Sequence, residues 1–248
     1  MTASADSVRK GTPRPYTTDR HTYINPAELL RHPLHVRIVH WSVAITFVLA
    51  LLSGLAIYSP WTFRFLAPLF GGGAMTRLLH PWFALAFVVA FAFELAQWFA
   101  PMLWTKADTE WMNHMREYVS NQETRERDDV GFFNGGQKLF FWSIVGSAIL
   151  FLITGLIMWL PEIFGHGLVP ISAVLHDIAA LIMLAGFIIH LYEGLASQPG
   201  TFRAMTRGTV TEKWAWTHHP DWYREATGRD PKEDYEAAVR KLERKPPE

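Results

Sequence analysis

Histidines buried in long apolar stretches are where this sequence points to chemistry. Two of them, His176 and His190, lie in LHDIAALIMLAGFIIHLYE, from Leu175 to Glu193. Fourteen residues at about 100° each come within about 40° of a whole number of turns, so both imidazoles leave the same side of a helix. They stand roughly 21 Å apart along its axis, one near each edge of a hydrocarbon layer about 30 Å thick. Two more, His40 in RIVHWSVAITF and His80 in RLLHPWF, start other apolar stretches. Sorted by depth, His40 pairs with His190 and His80 with His176. Two neutral imidazoles from facing helices can clamp the iron of a b-type haem without any covalent link to the protein. One histidine near an interface more often snorkels or donates to a carbonyl. Four that pair in depth are read as two haem sites in preference to a proton relay or interfacial packing.

The elements that must position them are membrane helices. Half of the 248 residues are hydrophobic, with 11 Trp and 17 Phe, and they fall in blocks. The blocks predict spans over Ile38 to Tyr58, Leu78 to Ala100, Leu139 to Leu160 and Ile171 to Ala196. Six Lys and Arg precede the first span, five lie between the second and third, and ten follow the fourth, against only Arg64 and Arg77 in the loop after span one. That asymmetry is expected to place both termini in the cytoplasm. Net charge is zero, and no nucleic-acid partner is expected. The absence of cysteine excludes iron–sulfur clusters, covalent haem and disulfides from this chain. The first span is too long for a signal-peptide core and reads as an uncleaved anchor. The domain reading is an irregular cytosolic extension over 1–36, a four-helix transmembrane unit over 37–196, and a cytosolic tail over 197–248 with a helix from Pro231 to Lys245.

Spans one and three share a pattern: Trp41-Ser42, ten residues, Ser53-Gly54-Leu55 and Pro60, against Trp142-Ser143, ten residues, Thr154-Gly155-Leu156 and Pro161. The chain is thus expected to be two copies of one helical hairpin, with His80 equivalent to His176 and Glu94 equivalent to His190. Gly54, fourteen residues after His40, and its counterpart Gly155 leave room for a flat ring to pack. Pro81 is expected in the first turn of its helix. Glu94, a carboxylate in an apolar run, either snorkels to the inner interface or faces a polar pathway along which it helps move protons. The charged run NQETRERDD reads as a solvated face. In NGGQK, from Asn134 to Lys138, glycines and a helix N-terminus let backbone N–H groups approach a ligand carbonyl, a weak signal by itself. His32, His35, His114, His166, His218 and His219 lie outside the spans and are expected to be exposed to water.

The residues VHW (39–41), LHP (79–81), NGGQK (134–138), LHDIAA (175–180), IIHLY (188–192) and HHPDWYRE (218–225) together resemble the cytochrome b, or gamma, subunit of membrane-bound respiratory formate dehydrogenase. The resemblance implies inner-haem ligation by His40 and His190 and outer-haem ligation by His80 and His176. It also implies a menaquinone or ubiquinone site made by Asn134, Gly136 and Gln137, with His190 nearby. The implied partners are an iron–sulfur beta subunit and a molybdenum or tungsten alpha subunit, and this chain would perform no formate chemistry itself. The leading alternative is the dihaem quinone-linked anchor of a hydrogenase or thiosulfate reductase. A histidine-based transporter or proton channel, and a purely structural anchor, are the readings from other classes.

Overall fold

The structure, a computed structural model, describes residues 23–25, 28–116 and 127–243. Two short strands, β1 (Tyr23–Asn25) and β2 (Glu28–Leu30), precede α1 (Leu34–Tyr58), a short α2 (Pro60–Leu66), α3 (Gly73–Trp98), α4 (Lys106–Asn113), α5 (Gly135–Trp159) and α6 (Val169–Tyr192). A π-turn at Glu193–Ser197 leads to α7 (Thr201–Thr206), β3 (Thr209–Thr211), α8 (Glu212–His218), α9 (Pro220–Thr227) and α10 (Pro231–Glu243).

Helices α1, α3, α5 and α6 are long and apolar enough to cross a membrane, and together they form the expected all-α bundle. Ile45, Val89, Ile153 and Leu181 point outward along its shaft, each more than half exposed. Lipid tolerates such a surface, and the helical backbone satisfies its own polar groups there. Inside, Ser53, Ala56, Ala148, Thr154, Ser172 and Ala179 are buried, small residues that let helix backbones approach closely.

Packing is closest between α1 and α3 and between α5 and α6, which are the two hairpins that the repeat predicts. Equivalent residues make equivalent contacts. Ser42 and Ser143 each donate at 2.8 Å to the carbonyl four residues back. Trp41 Nε1 donates to the Met205 carbonyl beyond the second hairpin at 3.1 Å, and Trp142 Nε1 to the Met102 carbonyl beyond the first at 2.8 Å. Each hairpin is therefore tied to the chain that leaves the other. Between hairpins, α1 and α6 meet through long side chains, with Phe47 and Phe187 ring centres 5.0 Å apart.

Several local expectations change. Helix α3 starts at Gly73, so Pro81 lies inside it and not in its first turn; the ring removes one rung of the hydrogen-bond ladder beside His80. The segment after Pro60 is not a plain loop, because α2 and a single 3-10 turn at Ala67–Phe70 fill it. Of NQETRERDD, positions 121–126 lie outside the described residues, while Arg127 pairs with Glu110 at 2.8 Å and Asp129 at 3.2 Å.

The end of the bundle where α1 begins and α6 ends is capped by folded chain. The last part of the N-terminal extension is not irregular: β2 pairs antiparallel with β1 and with β3, Leu29 opposite Val210. Residues 1–22 lie outside the description. Leu29 and Val210 join Trp214, Trp216, Trp222 and Tyr223 in a compact core. The Arg31 guanidinium lies 3.8 Å from the centre of the Phe132 ring and 4.3 Å from that of Trp222, and donates to the Phe132 carbonyl. His219 Nδ1 donates to the Gly131 carbonyl at 2.8 Å, which turns Nε2 toward Arg31 at 3.4 Å. His32 and His219, expected to be exposed, are 5% and 1% exposed. Burial, reinforced by the Arg31 charge, holds both well below the ordinary histidine range. The HHPDWYRE stretch is thus the clasp of this cap.

Candidate functional site

The pairs predicted from depth form. His40 on α1 and His190 on α6 face each other near the capped end with ring centres 6.1 Å apart, and His80 on α3 and His176 on α6 do so near the other end at 6.3 Å. A metal–imidazole bond is about 2 Å and a ring centre stands about 1 Å behind its nitrogen, so imidazoles trans across one metal have centres roughly 6 Å apart. Both pairs have that spacing. Among the described residues no group of three or more His, Asp or Glu side chains is arranged to hold a bare ion. Two ligands alone suit an iron whose other four ligands belong to a macrocycle.

Hydroxyls on the neighbouring helices set the tautomer of the pair at the uncapped end. Ser53 Oγ donates to the Leu49 carbonyl at 2.7 Å, and Thr154 Oγ1 to that of Leu150 at 2.6 Å. A hydroxyl has one proton, so each oxygen is left as an acceptor for the histidine nitrogen beside it. His80 Nδ1 therefore donates to Ser53 at 3.0 Å and His176 Nδ1 to Thr154 at 2.8 Å. This leaves Nε2 of each ring with a lone pair free for a metal. Ser53 and Thr154 are equivalent in the repeat, so one device is used twice.

The glycines beside them, expected to leave room for a flat ring, lie against the histidines themselves. A Cβ on Gly54 would stand 3.1 Å from His80 Cε1, and one on Gly155 3.7 Å from His176 Cε1. Each glycine seats an imidazole from the other helix of its own hairpin.

The pair at the capped end is held differently. His40 Nδ1 lies 3.2 Å from Glu94 Oε1, and Glu94 is only 7% exposed. His190 stacks on Phe140, centres 5.0 Å apart and planes 13° apart. Phe140 reaches it across Gly186, where a Cβ would stand 3.1 Å from the phenyl ring.

The NGGQK segment forms the N-terminus of α5. Asn134 Oδ1 accepts from the Gln137 backbone at 2.9 Å, and Gln137 Oε1 from the Asn134 backbone at 3.0 Å. This reciprocal box leaves both NH₂ ends outside it. The glycines admit α4, since a Cβ at Gly135 would stand 3.0 Å from the Asp108 carbonyl oxygen and one at Gly136 2.8 Å from the Trp111 ring. Lys138, buried, donates to Asp108 at 2.7 Å and to the Leu103 carbonyl at 3.1 Å. Asp108 also accepts from the Thr105 backbone at 2.7 Å.

Sequence reasoning missed the partner of Glu94, the Asp108–Lys138 pair and the Phe140 stack. One signal was available for the first: Glu94 follows His80 by fourteen residues, as His190 follows His176, and so lies at the depth of His40.

Comparison with known proteins agrees with this geometry. Residues 31–208 match the family described as prokaryotic cytochrome b561. The chain is 34% identical over 206 residues to the nitrate-inducible formate dehydrogenase cytochrome b556(Fdn) subunit of Escherichia coli K12, covering 82% of this chain and 94% of that protein. It is 33% identical over 200 residues to the formate dehydrogenase cytochrome b556(fdo) subunit of the same organism, covering 79% and 92%. It is 30% identical over 205 residues to the formate dehydrogenase cytochrome b556 subunit of Haemophilus influenzae, covering 81% and 84%. A cytochrome b carries b-type haem, and paired imidazoles with bare Nε2 atoms fit that group. The chain, a bacterial integral membrane protein, therefore belongs to the prokaryotic cytochrome b561 family, alongside the cytochrome b556 subunits of formate dehydrogenases.

Proposed function

We propose that this protein is the dihaem cytochrome b subunit of a membrane-bound formate dehydrogenase, conducting electrons from an iron–sulfur subunit on the outer face to a quinone on the cytoplasmic face. The observation that carries this reading is the pair of facing imidazoles at each of two depths on a four-helix bundle. A b-type haem supplies reversible one-electron iron chemistry when bound. His80 and His176 hold the outer one, with Ser53 and Thr154 orienting them. His40 and His190 hold the inner one.

The capped end faces the cytoplasm, as the excess of Lys and Arg in its loops and tail supports, so both termini lie there and the membrane is the inner one. The transmembrane unit spans 37–196, with 1–36 and 197–248 on the cytoplasmic side. Asn134, Gly136 and Gln137, with His190, receive menaquinone or ubiquinone. The NH₂ groups left outside the α5 capping box are suitable donors to a quinone carbonyl. The chain's part in formate oxidation is positional, and the molybdenum or tungsten subunit performs the chemistry. A hydrogenase or thiosulfate reductase anchor has the same scaffold requirement.

Purification of the intact complex tests the proposal. A reduced-minus-oxidised spectrum with b-type bands from two haems per chain, together with formate-driven quinone reduction, supports it. Colourless protein refutes the electron-carrier reading. Reduction of the haem by hydrogen, or oxidation of the reduced haem by thiosulfate, with no response to formate, assigns the alternative partner.

A further inference from the structure

The two histidine pairs are unequal in what their Nδ1 atoms meet. At the uncapped end both partners are hydroxyls that are themselves bound to helix carbonyls. At the capped end the His40 partner is the carboxylate of Glu94, which is buried. Glu94 comes from α3, the helix that supplies His80 to the other pair, and its place in the hairpin repeat is the one that His190 fills on α6. The repeat therefore offers either a ligand or a carboxylate at this depth, and both turn toward the same site.

We propose that Glu94 is a positioning residue for the inner haem: through His40 Nδ1 it fixes the ring, keeps Nε2 bare, and increases the electron donation of His40 to iron. The proposal rests on the dihaem reading above. The physical basis is that a carboxylate accepting from the far nitrogen of a metal-bound imidazole fixes its orientation and raises its basicity. A stronger hydrogen-bond acceptor on Nδ1 gives the ring more imidazolate character than a hydroxyl does. A more basic ligand favours ferric over ferrous iron, so the inner site becomes the stronger reductant, beside the proposed quinone site. Burial adds to this, because little water competes for either oxygen or screens the interaction.

The test uses the full-length protein in its complex, with haem content, a redox titration resolving both haems, and low-spin ferric electron paramagnetic resonance. Glu94→Gln keeps the shape and an acceptor oxygen but removes the carboxylate. The expected result is an upward shift in the midpoint potential of one haem and a changed resonance for that haem, while the other is unmoved. Glu94→Asp, which keeps a carboxylate, is expected to shift the potential less. The proposal is overturned if Glu94→Gln holds both haems at wild-type potentials, or if Asp and Gln shift the potential equally. Should the Gln variant hold no haem, wild-type haem content in the Asp variant supports the proposal and loss in both overturns it. A wild-type protein with fewer than two b haems would instead refute the dihaem reading.

Discussion

His176 Nδ1 and Thr154 Oγ1 are 2.8 Å apart, and the threonine's own proton is committed to the Leu150 carbonyl. The same geometry joins His80 to Ser53. These two contacts leave Nε2 of each ring as the nitrogen open to a metal.

On the dihaem reading proposed above, removing the acceptors is expected to loosen the outer haem and spare the inner one. Thr154→Val and Ser53→Ala should each lower outer-haem affinity by about 10–100-fold, the range found when partners of metal ligands are lost. Haem content and a titration of the two b-type components measure this.

The glycines separate by the room left to them. Gly54→Ala places a methyl 3.1 Å from the His80 ring, whereas Gly155→Ala makes an ordinary contact at 3.7 Å with His176. The first substitution should reduce outer-haem occupancy, and the second should leave it within error of wild type. Absorbance at the haem Soret band relative to protein absorbance distinguishes them.

Lys138 and Asp108 form a buried ion pair between α5 and α4, their side chains 7% and 4% exposed. Lys138→Met leaves the Asp108 carboxylate without its cation, at an expected destabilisation of about 3–5 kcal/mol. Replacing both residues, as Lys138→Met with Asp108→Leu, should recover part of that loss. Thermal denaturation in detergent checks the ranking. If the double variant melts below Lys138→Met, the pair is not the source of the effect.

Acid should open the cap before it affects the bundle. His32, His218 and His219 all have folded-state pKa values pushed down, mainly by burial and further by the Arg31 charge, His218 to about 4. Above an unfolded value of about 6.5 both folded and unfolded forms are neutral, and the cap has its full stability. As pH falls through that value the unfolded chain takes up protons that the folded cap refuses, so stability declines. Lower hydrogen-exchange protection over residues 209–223 at pH 5 than at pH 7, taken relative to the intrinsic exchange rate at each pH and reversed on return, is the expected observation. His219→Gln should flatten that dependence.

The four spans and both histidine pairs were legible in the sequence, because hydropathy over some twenty residues and a fourteen-residue interval are local properties of single helices. The repeat was legible for the same reason, and it survives as matched contacts of Trp41 with Trp142 and Ser53 with Thr154. The start of α3 was read too late, since Pro81 marks a favoured first-turn residue in water but is accommodated within membrane helices. The cap was not legible at all. Leu29, Arg31, Gly131, Val210, His219 and Trp222 meet from three distant parts of the chain, and no period in any one of them announces the others. The NGGQK segment was noticed for its glycines, but their reason, the passage of Trp111 and the Asp108 backbone, lies on a helix that the charged loop gave no cause to expect.

That three-part clasp has a consequence for biogenesis. A polypeptide emerging from the ribosome in order can complete its paired helices one after the other, yet Arg31 must wait for Trp222 and Gly131 for His219. The side of the bundle next to His40 thus stays uncovered until synthesis has passed Trp222.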